Sequence, residues 1–100
     1  MRQRTTDNSN DALAKLARQF SLRFIVLYGS QASGRIQADS DLDVAVVADH
    51  ELLFDAFFAL MAPLETTFHQ SYTFKDFDLV DFQRADPLLR YEIVAGGRLV

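Results

Sequence analysis

Residues 27–47 read LYGSQASGRIQADSDLDVAVV. An apolar run stops at Gly29-Ser30. After ten intervening residues, two aspartates, Asp41 and Asp43, bracket Leu42, and a second apolar run begins. Strand side chains alternate between faces, so a strand over DLDVAVVA puts Asp41, Asp43, Ala45 and Val47 on one face and Leu42, Val44 and Val46 on the other. The second face is wholly apolar and is expected to pack on helices. The first presents two carboxylates whose Cα atoms lie about 6.5 Å apart, two strand rises. Without a cation, two carboxylates so placed repel each other and lose solvation. A divalent ion removes that conflict, and Mg²⁺ takes carboxylate oxygens together with water and substrate phosphate. On the other side of the loop, a strand ending in glycine lets the backbone approach a ligand closely. A helical turn opening at Ser30 would offer free N–H groups and a hydroxyl to an anion, with Gly34 closing the turn. Loop and strand together describe a site for a nucleoside triphosphate with Mg²⁺.

The rest of the chain supplies a frame. SNDALAKLARQF reads as an amphipathic helix capped by Ser9 or Asn10, with Leu13, Leu16, Ala17 and Phe20 on one face. Residues 1–9 read as a flexible tail and residues 10–100 as one domain. RFIVLYG is a strand closed by glycine, and DLDVAVVA a second strand, apolar enough to be central in a sheet. HELLFDAFFALMAPLETTFHQ is helical by composition; Pro63 predicts a kink, or a helix that ends near Met61. FDLVDF is a third strand. DPLLRYEIVAGG is a closing helix, with Asp86 as N-cap, Pro87 in the first turn and Gly96 or Gly97 in a left-handed terminal position. RLV can add a few strand residues. The expected class is α/β (α+β), a small mixed sheet with helices packed on one face.

Composition narrows the function. One hundred residues leave no room for a separate substrate domain. There are no cysteines, which excludes disulfides and zinc–thiolate sites and fits a reducing, cytoplasmic setting. No apolar run reaches the ~20 residues that span a bilayer. The net charge of −4, with no Lys/Arg cluster, argues against long nucleic acid as a partner. His50 and His69 lack partners at ligand spacing and suit capping or surface roles. Phe54, Phe57, Phe58 and Met61 fall at helical spacing and read as core, in a stripe wider than one face needs. The surplus suggests a partner chain, in a homo- or hetero-oligomer.

Gly-Ser, ten residues, then Asp-x-Asp resembles the motif of the polymerase-β nucleotidyltransferase superfamily. The whole stretch YGSQASGRIQADSDLDVAVV resembles its minimal nucleotidyltransferase (MNT) branch, and FDLVDF with PLLRYEIVAGGRLV resembles that branch's third strand and closing helix. The resemblance implies a polymerase-β-like fold and a Mg²⁺-dependent transfer of a nucleoside monophosphate, AMP from ATP. It implies that Gly29, Ser30, Ser33 and Arg35 bind the nucleotide, and that Asp41, Asp43 and a third carboxylate ligate the metal and carry catalysis. The matching position for the third is Asp78, with Asp76 and Asp81 as rivals. Many relatives carry arginine where this chain has Gln31 and Ser33; Arg35 nearby is either a substitute for that charge or a solvated loop arginine. The branch is typically paired with a HEPN partner, a helical ribonuclease toxin. The resemblance then implies an antitoxin that adenylylates a tyrosine of the toxin. The other readings are a binding module that neutralises its partner by contact and an aminoglycoside-type small-molecule transferase.

Overall fold

A computed structural model describes residues 4–29 and 41–100, with side chains from Asn10 onward. Helix α1 (Arg4–Gln19) leads into strand β1 (Leu22–Tyr28). Strand β2 (Leu42–Ala48), helix α2 (Phe54–Phe68) and strand β3 (Phe77–Asp81) form a β-α-β unit. A 3-10 turn (Phe82–Arg84), helix α3 (Pro87–Gly96) and a short strand β4 (Arg98–Leu99) complete the chain. The sheet order is β3-β2-β1-β4. β1 runs antiparallel to β2 and β4, and β2 runs parallel to β3, so the sheet is mixed.

β2 is the interior strand its apolar sequence predicts. Leu42, Val44 and Val46 have no exposed surface, and they pack with Leu27, Leu60, Leu64 and Phe68 in the main core. Helix α1 lays Leu13, Leu16, Ala17 and Phe20 against that core. It begins at Arg4, however, so Ser9 and Asn10 lie inside the helix rather than at its cap. In β1 the register shifts between Leu22 and Phe24. This bulge brings Leu22 onto the core face with Ile25 and Leu27, which simple alternation would not allow.

The helices do not all cover one face. α1 and α2 do, but α3 lies on the opposite side, where Ile93 and Leu89 pack against Tyr28, Ala45, Val26, Val80 and Phe82. The cause is legible in the strands: below its charged start, that face is apolar and needs cover. In α2 the end near Met61 that Pro63 allowed is not found. The helix continues through Pro63 to Phe68 as one helix. Pro63 and Ala59 are both exposed, so the Ala59 carbonyl that loses its helical donor faces the side open to water. Thr67 Oγ1 donates to the Pro63 carbonyl at 2.9 Å.

The N-cap of α3 is as expected: Asp86 accepts from the Leu89 N–H at 2.9 Å, with Pro87 in the first turn. Its C-terminus is not. Neither Gly96 nor Gly97 is left-handed; Gly97 has φ −83° and leads straight into β4. What requires glycine at 97 is space, since a Cβ there would collide with the Ile93 carbonyl and the Val26 side chain, whereas at Gly96 it meets nothing. Among the described residues, no helix is long and apolar enough to cross a membrane.

Two stability measurements check this account. Gly96→Ala should raise stability to urea by about 0.5–1 kcal/mol, while Gly97→Ala lowers it by about 1–3 kcal/mol; equal effects would contradict the close approach at Gly97. Pro63→Ala should add about 1–2 kcal/mol by restoring a helical donor on an exposed face. An unchanged urea midpoint would show that the freed Ala59 carbonyl costs the helix nothing.

Candidate active site

Register builds the site. Tyr28 pairs with Asp43 across the antiparallel ladder, and Asp43 pairs with Asp78 across the parallel one. Three side chains therefore stand abreast on three adjacent strands, on the face covered by α3. Both aspartates lie near their strands' starts, where β1 ends at Gly29. The start of β2 is fixed from outside the ladder, because the Leu42 N–H donates to the Asp76 carbonyl at 2.9 Å. The cleft above this row is lined by Tyr28, Gly29, Asp43, Asp78, Leu89, Glu92 and Gly96.

Gly29 carries the one positive φ among the described glycines, +79°. A Cβ at this position would run into the Asp43 carboxylate. Glycine is thus required twice, for the turn and for the approach of the β1 end to Asp43.

Electrostatics sets the row apart. Burial pushes the Asp43 carboxyl above its ordinary range, and Asp78, Asp41 and Glu92 push it further by like charge. The protonated form is favoured again by a hydrogen bond to Asp78. Burial, then the charges of Asp43, Asp78 and Glu92, hold the Tyr28 phenol neutral, its pKa raised to about 12. The local field is negative, and the pair at its centre favours a cation or a shared proton. Among the described residues, no three carboxylate or imidazole side chains converge tightly enough to cage a metal. The donor set nevertheless suits Mg²⁺, which is usually bound through one or two carboxylates and completed by water and phosphate.

The expected site residues fall as follows. Asp43 and Asp78 are adjacent, and Asp41 stands exposed one step before β2. Ser30, Ser33 and Arg35, with Gln31 and Gly34, lie outside the described residues. Of the rivals for third carboxylate, Asp76 is exposed and holds β2 through its backbone. Asp81 is 6% exposed and occupied elsewhere: it caps the 3-10 turn through the Gln83 N–H at 3.1 Å and pairs with Arg84 at 3.6 Å. Sequence reading did not single out Tyr28 or Glu92 for the site. The signal for Tyr28 was its place beside Gly29; for Glu92, its position on α3 between the inward-facing Leu89 and Gly96.

The other candidates are placed too. His69 stacks on Phe74 with ring centroids 3.9 Å apart and ends α2 through its N–H to Glu65, while His50 is exposed. Of the aromatic stripe, Phe57 and Met61 pack on the core. Phe54 and Phe58 do not: they are 67% and 55% exposed and touch each other edge to face. The core runs along Leu60, Leu64 and Phe68, which leaves no inward position for them.

Comparison with known proteins bears on the family and the fold. The family Polymerase beta, Nucleotidyltransferase matches residues 10–100. A crystal structure of a toxin–antitoxin with AMP-PNP contains a chain 32% identical, with a TM-score of 0.71 over 92% of this chain and 71% of that one. The complex of tri-AMPylated Shewanella oneidensis HEPN toxin with MNT antitoxin matches at 29% identity and a TM-score of 0.64, over 95% and 70% of the two chains. A protein assigned as a minimal nucleotidyltransferase shares the fold, with a TM-score of 0.74 at 21% identity over 95% and 91%. No curated protein matches the sequence. The match to the family covers nearly the whole chain: the protein belongs to the polymerase beta nucleotidyltransferase family.

Proposed function

We propose that the protein moves AMP from Mg·ATP to a hydroxyl of a HEPN-type toxin, acting as the antitoxin of the pair in the cytoplasm. The observation that carries this reading is the in-register Asp43–Asp78 pair beside Gly29. Asp41, Asp43 and Asp78 would hold the divalent cation, and Gly29 with the loop after it would take the triphosphate. The cation, when bound, neutralises the carboxylates and polarises the phosphoryl oxygens. Asp78 orients the acceptor hydroxyl and takes its proton as the oxygen–phosphorus bond forms and the bond to the pyrophosphate leaving group breaks. Solved relatives support the partner, since they include an MNT antitoxin in complex with an AMPylated HEPN toxin.

A second observation favours contact as part of the action. Leu53, Phe54 and Phe58 are exposed at the start of α2, and Leu88, Tyr91 and Val94 along α3. Surfaces of this kind suit another protein chain.

The test is intact mass of a co-expressed HEPN partner after incubation with ATP and Mg²⁺. One or more adenylyl additions are expected on the partner, and none when Asp41 and Asp43 are both changed to alanine. A partner that stays unmodified, yet is bound and silenced equally by the double variant, would replace transfer by contact.

The metal role has its own measurement. The raised folded pKa of Asp43 means that the folded state binds the proton more tightly than the unfolded state. In metal-free buffer, stability should therefore fall as pH rises from the ordinary carboxylate range through the raised pKa. Asp43→Asn should lose transfer, lose this pH dependence and match or exceed the parent's melting temperature at neutral pH without metal. Transfer retained in a folded Asp43→Asn protein would overturn the assignment.

A further inference from the structure

Tyr28 is 7% exposed, and its ring is held in the small core with Ala45 and Ile93. It nevertheless lines the cleft beside Gly29, Asp43 and Asp78. Among the described residues its hydroxyl has no hydrogen-bond partner, in contrast to Tyr72, whose hydroxyl accepts from Arg98 at 3.2 Å. A hydroxyl on a largely buried residue, with no partner among the described residues, gains from one, and a ligand in the cleft that Tyr28 lines can supply it. The remaining polar side chains that line the cleft, Asp43, Asp78 and Glu92, are carboxylates that accept when ionised. Phosphate oxygens are acceptors as well. Among the described residues that line this cleft, Tyr28 thus supplies the side-chain donor that stays a donor when the carboxylates are ionised, next to the glycine where β1 turns.

We propose that the Tyr28 hydroxyl donates to a phosphate oxygen of the bound triphosphate and so acts as a positioning residue. The inference rests on the reading of the cleft as a nucleotide site. Its carbon frame is already fixed by packing, so the hydroxyl is placed before the ligand arrives and little side-chain freedom is lost on binding.

The experiment is calorimetric titration of the parent and Tyr28→Phe with Mg·ATP, with magnesium tripolyphosphate and with Mg²⁺ alone, after thermal unfolding has confirmed the variant's fold. The expected result is binding of both phosphates about tenfold weaker in Tyr28→Phe, with Mg²⁺ binding unchanged. Equal binding by parent and variant overturns the inference and leaves the nucleotide site standing. A loss confined to Mg·ATP overturns it in favour of a sugar or base contact, and an altered affinity for Mg²⁺ alone in favour of a contact to the carboxylates. A parent that binds neither phosphate rejects the nucleotide reading itself. A second measurement does not depend on that variant. The chain has three tyrosines and no tryptophan, so Tyr72→Phe/Tyr91→Phe leaves Tyr28 as the only emitter. Its fluorescence should change on adding magnesium tripolyphosphate, and an unchanged spectrum overturns the inference.

Discussion

Two carboxylates directly opposite each other on neighbouring strands, one half-buried and one exposed, cannot both ionise as cheaply as in open water. Asp43 and Asp78 are held in that relation by parallel pairing from Leu42↔Phe77 to Val46↔Asp81. Their backbones cannot separate without breaking a ladder whose β2 residues Leu42, Val44 and Val46 are fully buried on the opposite face. The repulsion is therefore built into the fold, and it favours a proton on Asp43; a bound cation would relieve it as well. Everything else around the row is arranged to keep it in place, from the Asp76 carbonyl that ties down the start of β2 to the glycine that lets β1 end against Asp43.

The two faces of β2 divide the work. Leu42, Val44 and Val46 join α1 and α2 in the larger core, which fixes the height and tilt of the strand. The other face carries Asp43 and then Ala45, fully buried under α3. A small side chain at 45 lets Ile93 and Tyr28 meet there, and that places Leu89, Glu92 and Gly96 as the far wall of the cleft. The final helix is thus part of the site as well as its cover, and its exposed side, Leu88, Tyr91 and Val94, is free to meet another surface.

Much of this could be read from the chain. The apolar runs located the strands, Asp86-Pro87 the start of α3, and the family resemblance pointed to Asp78 in FDLVDF as the residue that joins Asp43. Alternation assigns residues to faces but does not say which helix covers which face, and so the crossing of α3 to the other side escaped it. Pro63 left open an end of α2 near Met61, yet the helix runs on, because an exposed proline in a helix anchored by Leu60, Leu64 and Phe68 is tolerated where tertiary packing outweighs one missing bond. The polar start of α1 carries no apolar period, which hid its first turns. Tyr28 and Glu92 come to the site from different elements, and only the register and the packing of α3 bring them together.

The bulge between Leu22 and Phe24 has a bearing on how this protein can change. Beyond it, alternation locks every rung up to Tyr28↔Asp43, and a slip by one residue would turn each side chain to the wrong face. Before it, one residue more or less can be taken up by the irregularity itself. Variation in the length of the α1–β1 junction is thus absorbed at the far end of the strand. The bulge acts as a slack joint: the helix can be reshaped while the row of Tyr28, Asp43 and Asp78 keeps its alignment.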